Sequence, residues 1–241
     1  MRNSFFLTII LLFLTACVTN TSLQNDDFTY QGNVNEITEP LELFFTAHPL
    51  TDIEYNITGH MGKQFFSFEA NGTVIRRKVV DAFVDNIKLN QMKSFPKKML
   101  PSSMTQSVNN LWYDKSGNLT NPHIRGNHIL IGLSFLPDLP KSVKTGTEIH
   151  TFPVPEDAEF QIDQIAIVEG KSKFLNRDVI ILSIHGDGKI NFDAAAPSVR
   201  KQGYAIVDIK TSQVLFQKSI IESINSNPSL TIEFKSEHDQ F

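Results

Sequence analysis

Cysteine is nearly absent from this chain of 241 residues, in which Cys17 is the only one. A single cysteine cannot close an internal disulfide, so the fold must be held together by its hydrophobic core. Tryptophan is also scarce, with one residue, and tyrosine occurs four times, whereas phenylalanine occurs 19 times. This balance favours a packed apolar interior over an exposed aromatic platform of the kind that binds sugars.

Long apolar runs and familiar catalytic motifs are missing as well. After residue 16 no apolar run reaches the roughly 20 residues that a membrane-spanning helix needs. The Gly-x-Ser-x-Gly, His-Glu-x-x-His and glycine-rich phosphate-loop motifs do not occur. The formal net charge is −4, which argues against nucleic acid or an anionic headgroup surface as a partner. The sequence therefore predicts no catalytic residues, no metal ligands and no cofactor, and it names no ligand-binding residue.

The first 17 residues carry the most specific pattern in the chain. Arg2 supplies a positive charge, and an apolar run of ten residues follows from Phe5 to Leu14. The run is too short to span a bilayer and has the length of the apolar part of a secretory signal. It ends in Leu14-Thr15-Ala16-Cys17, in which small side chains precede the cysteine. This order predicts a signal peptide over residues 1–16, cleaved between Ala16 and Cys17.

That ending resembles the lipobox of bacterial membrane lipoproteins of the Gram-negative type, and the resemblance covers only these 17 residues. It implies that the Cys17 sulfur carries a diacylglyceryl group and that Cys17 becomes the acylated first residue of the mature chain. Two or more acyl chains hold a protein on a membrane, where one is marginal. In such lipoproteins an Asp after the cysteine is a signal for inner-membrane retention, so Val18 implies an outer-membrane anchor that faces the periplasm.

The remainder divides into a linker and one domain. Residues 18–38 are rich in Asn, Thr, Gln and Asp and have few apolar residues, so residues 17–38 are predicted to be a lipidated flexible tether. Residues 39–241 are predicted to be a periplasmic β-rich domain. No domain family is identified from these residues.

Apolar and polar residues alternate through much of residues 39–241, which is typical of half-buried strands. The pattern predicts ten to thirteen short strands and an all-β antiparallel meander that forms a curved sheet, a sandwich or an open barrel. A helix over Val79–Leu89 remains an alternative. Phe66–Ile75 and Leu182–Asn191 share a strand–turn–strand pattern, which leaves open a fold of two similar halves. Six apolar residues are predicted to share one buried face, namely Phe66, Phe68, Ile162, Ile184, Ile206 and Phe216.

Several motifs invite a chemical interpretation, and a structural one is favoured for each. The segment His185-Gly186-Asp187-Gly188 could place an acid–base pair, but its glycines predict a turn, as does Asn71-Gly72. His123 and His128 lack a nearby acidic residue and are predicted to be loop residues. The basic run Arg76-Arg77-Lys78 is predicted to be a solvated face. Trp112 and Tyr113 are predicted to pack in the core or across strands.

Three classes of function remain open. The first is a non-enzymatic interaction or assembly module that binds an envelope protein through its sheet. The second is a carrier that holds a lipid or other hydrophobic ligand in a concave β-sheet cavity. The third is an enzyme. We favour the first class, with the bilayer as partner through acylated Cys17, and treat the carrier as the alternative.

Overall fold

The chain folds as strands because its apolar side chains recur at every second position. In the last strand Leu230, Ile232 and Phe234 are buried, while the side chains between them are not. Successive side chains on a strand point to opposite faces, so this period places the apolar residues together. The computed structural model describes residues 26–43, 53–62, 66–80, 82–95, 108–114, 120, 133–134, 138–151, 154, 156, 158–191, 196–224 and 229–238.

These residues form a short 3₁₀ turn, Asp26–Phe28, and twelve strands. The strands are β1 (Leu41–Glu42), β2 (Ile53–Met61), β3 (Phe66–Val79), β4 (Ala82–Phe95), β5 (Val108–Asp114), β6 (Ser142–Val143), β7 (Glu148–His150), β8 (Phe160–Phe174), β9 (Arg177–Ile190), β10 (Ser198–Asp208), β11 (Val214–Ser223) and β12 (Leu230–His238). Ten of them form one antiparallel sheet in the order β5-β4-β3-β2-β12-β11-β10-β9-β8-β7. β1 pairs with β6 in a separate small sheet.

The all-β antiparallel prediction is confirmed. The large sheet consists of two meanders, β2 to β5 and β7 to β12, which join where β12 pairs with β2. Among the described strands the sheet is open, with β5 and β7 at its edges, and it does not close into a barrel, an arrangement consistent with a curved sheet or a sandwich. The two segments proposed as a repeat lie in β3 and β9, one in each meander. The helix alternative for Val79–Leu89 is wrong, because β4 begins at Ala82.

One face of the sheet, the inner face, carries most of the core. One cluster on this face joins both meanders and includes Phe68, Phe83, Phe160 and Phe234. A second cluster lies on the same face at the other end of β8, β9 and β10, where Val143 of the small sheet packs. Burial of this surface, at about 25 cal/mol per Å², is the main stabilising contribution.

The predicted single buried face is only partly right. Phe68, Ile162 and Ile184 lie on the inner face, but Ile206 and Phe216 pair with each other on the opposite, outer face. The side chain of Phe66 lies outside the described residues. The difference arises because β9 and β10 are covered on both faces at this end, where Val179 to Leu182 are all buried. Burial on both faces removes the alternation on which the prediction rested.

Two predicted turns are strand interiors. Asn71 and Gly72 lie within β3, opposite a β-bulge that leaves Asn90 of β4 as the extra residue, and His185 to Gly188 lie within β9. A Cβ atom on Gly188 would overlap the backbone oxygen of Gln161 in the neighbouring strand. The glycine therefore permits a close approach of two backbones in the sheet, a role that glycine has inside strands.

The second half of the predicted tether packs against the sheet. Phe28 is buried on the outer face, where the Lys218 ammonium lies over its ring, and Ile37 is buried in the second inner-face cluster. Asn35 and Lys171 exchange two backbone hydrogen bonds of 2.8 Å. Residues 26–37 are called the crossing segment below. Residues 26–37 of the predicted tether therefore contact the domain, through Phe28 and Ile37. Ala16, Cys17 and the rest of residues 1–25 lie outside the described residues.

Candidate functional site

A cleft of about 660 Å³ lies between the crossing segment and the outer face of β8, β9 and β10. This volume is within the usual range of small-molecule sites. Phe28, Tyr30, Val34 and Glu36 line the cleft from the crossing segment. From the sheet, the lining includes Glu169 of β8, Ser183 and His185 of β9, and Gln202 and Tyr204 of β10.

Aromatic rings form one wall of the cleft. The Tyr30 and Tyr204 rings meet edge to face with their centroids 5.8 Å apart, and Tyr204 stacks on Phe216 at 5.6 Å. The Tyr30 hydroxyl lies 3.1 Å from the Ser172 hydroxyl, which donates to the backbone oxygen of Asn33. Burial raises the pKa of the Tyr204 phenol, and the neighbouring Tyr30 raises it further. Tyr204 is therefore a neutral hydrogen-bonding group at physiological pH.

The floor of the cleft is polar because outward positions of neighbouring strands are in register. Ser183 pairs with Tyr204, and His185 pairs with Gln202. All four residues are half-buried or exposed. The Ser183 hydroxyl donates to a carboxylate oxygen of Glu169. This row of side chains offers both donors and acceptors to a bound group.

A β-bulge in β8 creates the edge of the cleft. The register shifts between Val168 and Gly170, which leaves Glu169 as the extra residue. Gly170 has a φ of 150°, and a Cβ there would overlap the backbone oxygen of Asn35. Only glycine lets the crossing segment come this close, so the bulge both seats that segment and directs Glu169 to the cleft.

Among its described residues, the cleft does not contain a serine–histidine pair. The Ser183 hydroxyl donates to the Glu169 carboxylate and not to His185. Asp187, two residues from His185, forms an ion pair of 3.1 Å with Arg200. The two groups of the predicted acid–base motif therefore share a face of β9 without acting on each other.

The other predicted candidates are dispersed. Tyr113 is buried in the core as predicted, whereas Trp112 lies on the outer face with 38% of its surface exposed. Arg77 is exposed, in agreement with a solvated basic run. His123 and His128 lie outside the described residues. Within the part of the chain that the structure describes, no group of three or more His, Cys, Asp or Glu could hold a metal ion, and no helix is long and apolar enough to cross a membrane.

A fully buried lysine was not anticipated from the sequence. The Lys201 ammonium donates to the backbone oxygen of Leu133 at 2.5 Å and to the side-chain oxygen of Gln164 at 2.6 Å. It also lies 5.7 Å from the centre of the Phe234 ring. The alternation of buried residues along β10 could have predicted that Lys201 points inward, because Val199, Lys201 and Ala205 occupy inward positions of this strand. Its contact with Leu133 joins that residue to the sheet.

The crossing segment was missed because its apolar residues are sparse. Phe28, Tyr30 and Ile37 stand among polar residues, without a helical or strand period. Comparison of the chain with protein-family models, with curated proteins and with solved structures found no match in any of the three. The candidate site therefore depends on the geometry of the cleft alone.

Proposed function

We propose that the chain is an envelope lipoprotein, acylated at Cys17 and anchored in the outer membrane, whose β-domain is a non-enzymatic interaction or assembly module. The observation that carries this proposal is the cleft under the crossing segment. It combines aromatic rings with polar side chains, and it opens on the outer face. Buried aromatic residues ringed by polar groups are typical of sites that bind a partner.

A carrier for a hydrophobic ligand is the second candidate. The packing of the inner face provides the evidence on this candidate. A carrier of this type needs apolar side chains that line an unfilled concave surface. Phe83, Phe160 and Phe234 on the inner face are each at most 2% exposed. Tight packing of these described residues supports the interaction module over a carrier whose ligand sits in the concave face.

Acylation is tested by metabolic labelling with palmitate in a Gram-negative host. Wild type should incorporate label and fractionate with the outer membrane, because the lipobox pattern supplies the attachment sulfur. Cys17→Ser should incorporate none. In a host that uses the Asp signal, Val18→Asp should move the protein to the inner membrane. Labelling that survives Cys17→Ser would contradict the lipoprotein proposal.

Occupancy of the cleft is tested by a photo-crosslinking amino acid placed at His185, an exposed residue of the cleft. Glu233, exposed on the same face of β12, is the matched control position. In living cells the His185 position should give one discrete adduct of protein size that the Glu233 position does not. An adduct of lipid size would favour the carrier, and equal adducts at both positions would contradict a specific site.

A further inference from the structure

Two long hairpins and one turn end at the same end of the large sheet. Paired residues form a continuous row across six strands, namely Thr73, Glu54, Glu237, Phe216, Ile206 and Ile181. From this row β3 runs six residues to Val79, and β9 runs back six residues to Leu175, a distance of roughly 20 Å in each case. The β10–β11 turn lies between these two hairpins. The end formed by the β3–β4 and β8–β9 hairpins is called the tip surface.

Each of the two tips carries a large aliphatic side chain at a turn position where such a residue is unfavourable. Val80 is 88% exposed in the turn between β3 and β4, a position that glycine, asparagine or aspartate usually occupies. Leu175 is 57% exposed and has a φ of 48°, a conformation unfavourable for residues other than glycine and asparagine. Neither residue contributes a buried side chain to the fold. Two exposed aliphatic residues in unfavourable positions at the same end of the sheet indicate a surface that contacts a partner.

The residues beside both tips are basic, although the whole chain is acidic. Residues 76–85, the paired end of the β3–β4 hairpin, contain three basic and two acidic residues, and residues 171–178 contain three basic and one acidic. These two segments therefore have formal charges of +1 and +2, against −4 for the chain. Of the basic run in β3, the structure describes the side chain of Arg77, which is exposed.

The acidic groups of the β8–β9 hairpin region are already neutralised within the protein. Asp178 pairs with Lys173 at 2.7 Å, and this hydrogen bond and charge lower the pKa of Asp178. Asp208, buried at the adjacent turn, pairs with Arg177 at 2.7 Å. Lys171 and Lys210 are exposed nearby. Paired acids lower the repulsion that an anionic surface would meet, and the exposed lysine side chains attract such a surface.

We propose that the tip surface docks on an anionic phospholipid membrane. Val80 and Leu175 enter the headgroup boundary, and the basic residues beside them contact lipid phosphates. Apolar side chains that insert between basic residues bind membranes by burial of apolar area combined with attraction to anionic lipid. This proposal gives the domain an orientation on the bilayer and does not depend on acylation of Cys17.

The test uses residues 18–241, which contain every described residue and lack the acylated cysteine. Co-sedimentation is measured with vesicles of phosphatidylcholine alone and of phosphatidylcholine mixed with phosphatidylglycerol. Wild type should bind the anionic vesicles, and high salt should release it. The variant with both Val80→Asp and Leu175→Asp should bind these vesicles at least about tenfold more weakly, because it loses two inserted side chains and adds two negative charges.

Phe95→Asp is the matched control, since Phe95 is 67% exposed at the opposite end of β4. It should bind like wild type. Circular dichroism and the thermal midpoint establish that each variant is folded, which is expected for substitutions at exposed positions. Equal sedimentation of wild type with both kinds of vesicle would overturn the proposal, as would equal losses for Phe95→Asp and the tip variant. Palmitate labelling of Cys17 is independent of either result.

Discussion

Phe216 and Gln217 illustrate how little a residue's own polarity determines its burial in this sheet. Gln217 is 1% exposed and lies on the inner face opposite Ala205, with its side chain 3.5 Å from the Ser219 hydroxyl. Phe216 is half-buried on the outer face, between the rings of Phe174 and Tyr204. The sequence predicted a buried Phe216, and strand alternation then places its neighbour Gln217 on the other, exposed face. The structure shows the opposite order of burial. The outer face of β11 is covered by the Phe174 and Tyr204 rings and by Phe28 of the crossing segment, over which the Lys218 ammonium lies.

We expect Gln217→Glu to destabilise the domain more than Phe216→Ala. A carboxylate at residue 217 would be buried on the inner face, and burial of a charge without compensation costs about 3 kcal/mol or more. Loss of the half-buried ring should cost about 1–2 kcal/mol. Urea denaturation of both variants measures the difference. Equal or reversed losses would contradict the assignment of faces in β11.

We expect stability to fall at high pH through Tyr204. Burial raises the pKa of this phenol above its ordinary value of 10.0, because the phenolate is disfavoured in the folded state. The stability that comes from the neutral phenol is complete below pH about 10 and is lost as the pH rises through the folded-state pKa. Wild type should therefore lose stability relative to Tyr204→Phe above pH about 10. Denaturation at several alkaline pH values, with phenolate absorbance, checks this, and parallel curves would contradict it.

At the scale of elements, the long strands β3, β8 and β9 were the least predictable. Glycine-containing segments inside β3 and β9 have the composition of turns, and the chain was expected to reverse there. In β9 the strand continues because its glycines allow the β8 backbone to come close: a Cβ on Gly186 would overlap the Asp163 oxygen, and one on Gly188 would overlap the Gln161 oxygen. A propensity for turns is a weak local preference, and pairing over 11 to 15 residues outweighs it.

We expect Gly188→Val to destabilise β9 despite the high strand propensity of valine. The new Cβ would overlap the Gln161 backbone oxygen, so the β8–β9 pairing must shift, at a cost of about 3 kcal/mol or more. Lys189→Val is the control, because Lys189 is exposed on the same strand and its replacement should change stability by about 0.5 kcal/mol or less. Thermal denaturation compares the two. If this position were a turn, Gly188→Val and Lys189→Val would change the stability equally. Equal changes would therefore contradict the placement of Gly188 inside β9.

At the scale of the whole molecule, the two meanders share one core. β12 pairs with β2 through nine residue pairs, from Leu230–Met61 to His238–Ile53. The main cluster contains residues from β2 to β5 and from β8 to β12. Neither meander therefore buries its inner face independently of the other, and the domain is expected to unfold as one unit.

We expect Ile184→Ala to lower the stability of both meanders together. Ile184 is fully buried in β9, and such truncations cost about 2–5 kcal/mol. Trp112, the only tryptophan, lies in β5 of the other meander and reports on it by fluorescence. Fluorescence and far-ultraviolet circular dichroism should show the same lowered midpoint. A Trp112 transition that stays at the wild-type midpoint would mean that the meanders unfold separately.

The sequence by itself determined the strand content, the antiparallel class and much of the inner face, because a period of two places alternate side chains on one side of a strand. Phe68, Ile162 and Tyr113 were predictable for this reason. The tertiary structure alone decided the sheet order, the burial of Gln217 and Lys201, and the cleft. Each of these requires segments far apart in sequence, such as Asn35 with Lys171 and Leu133 with Lys201. No local pattern encodes such contacts, because their free energy depends on surfaces that exist only when the sheet has formed.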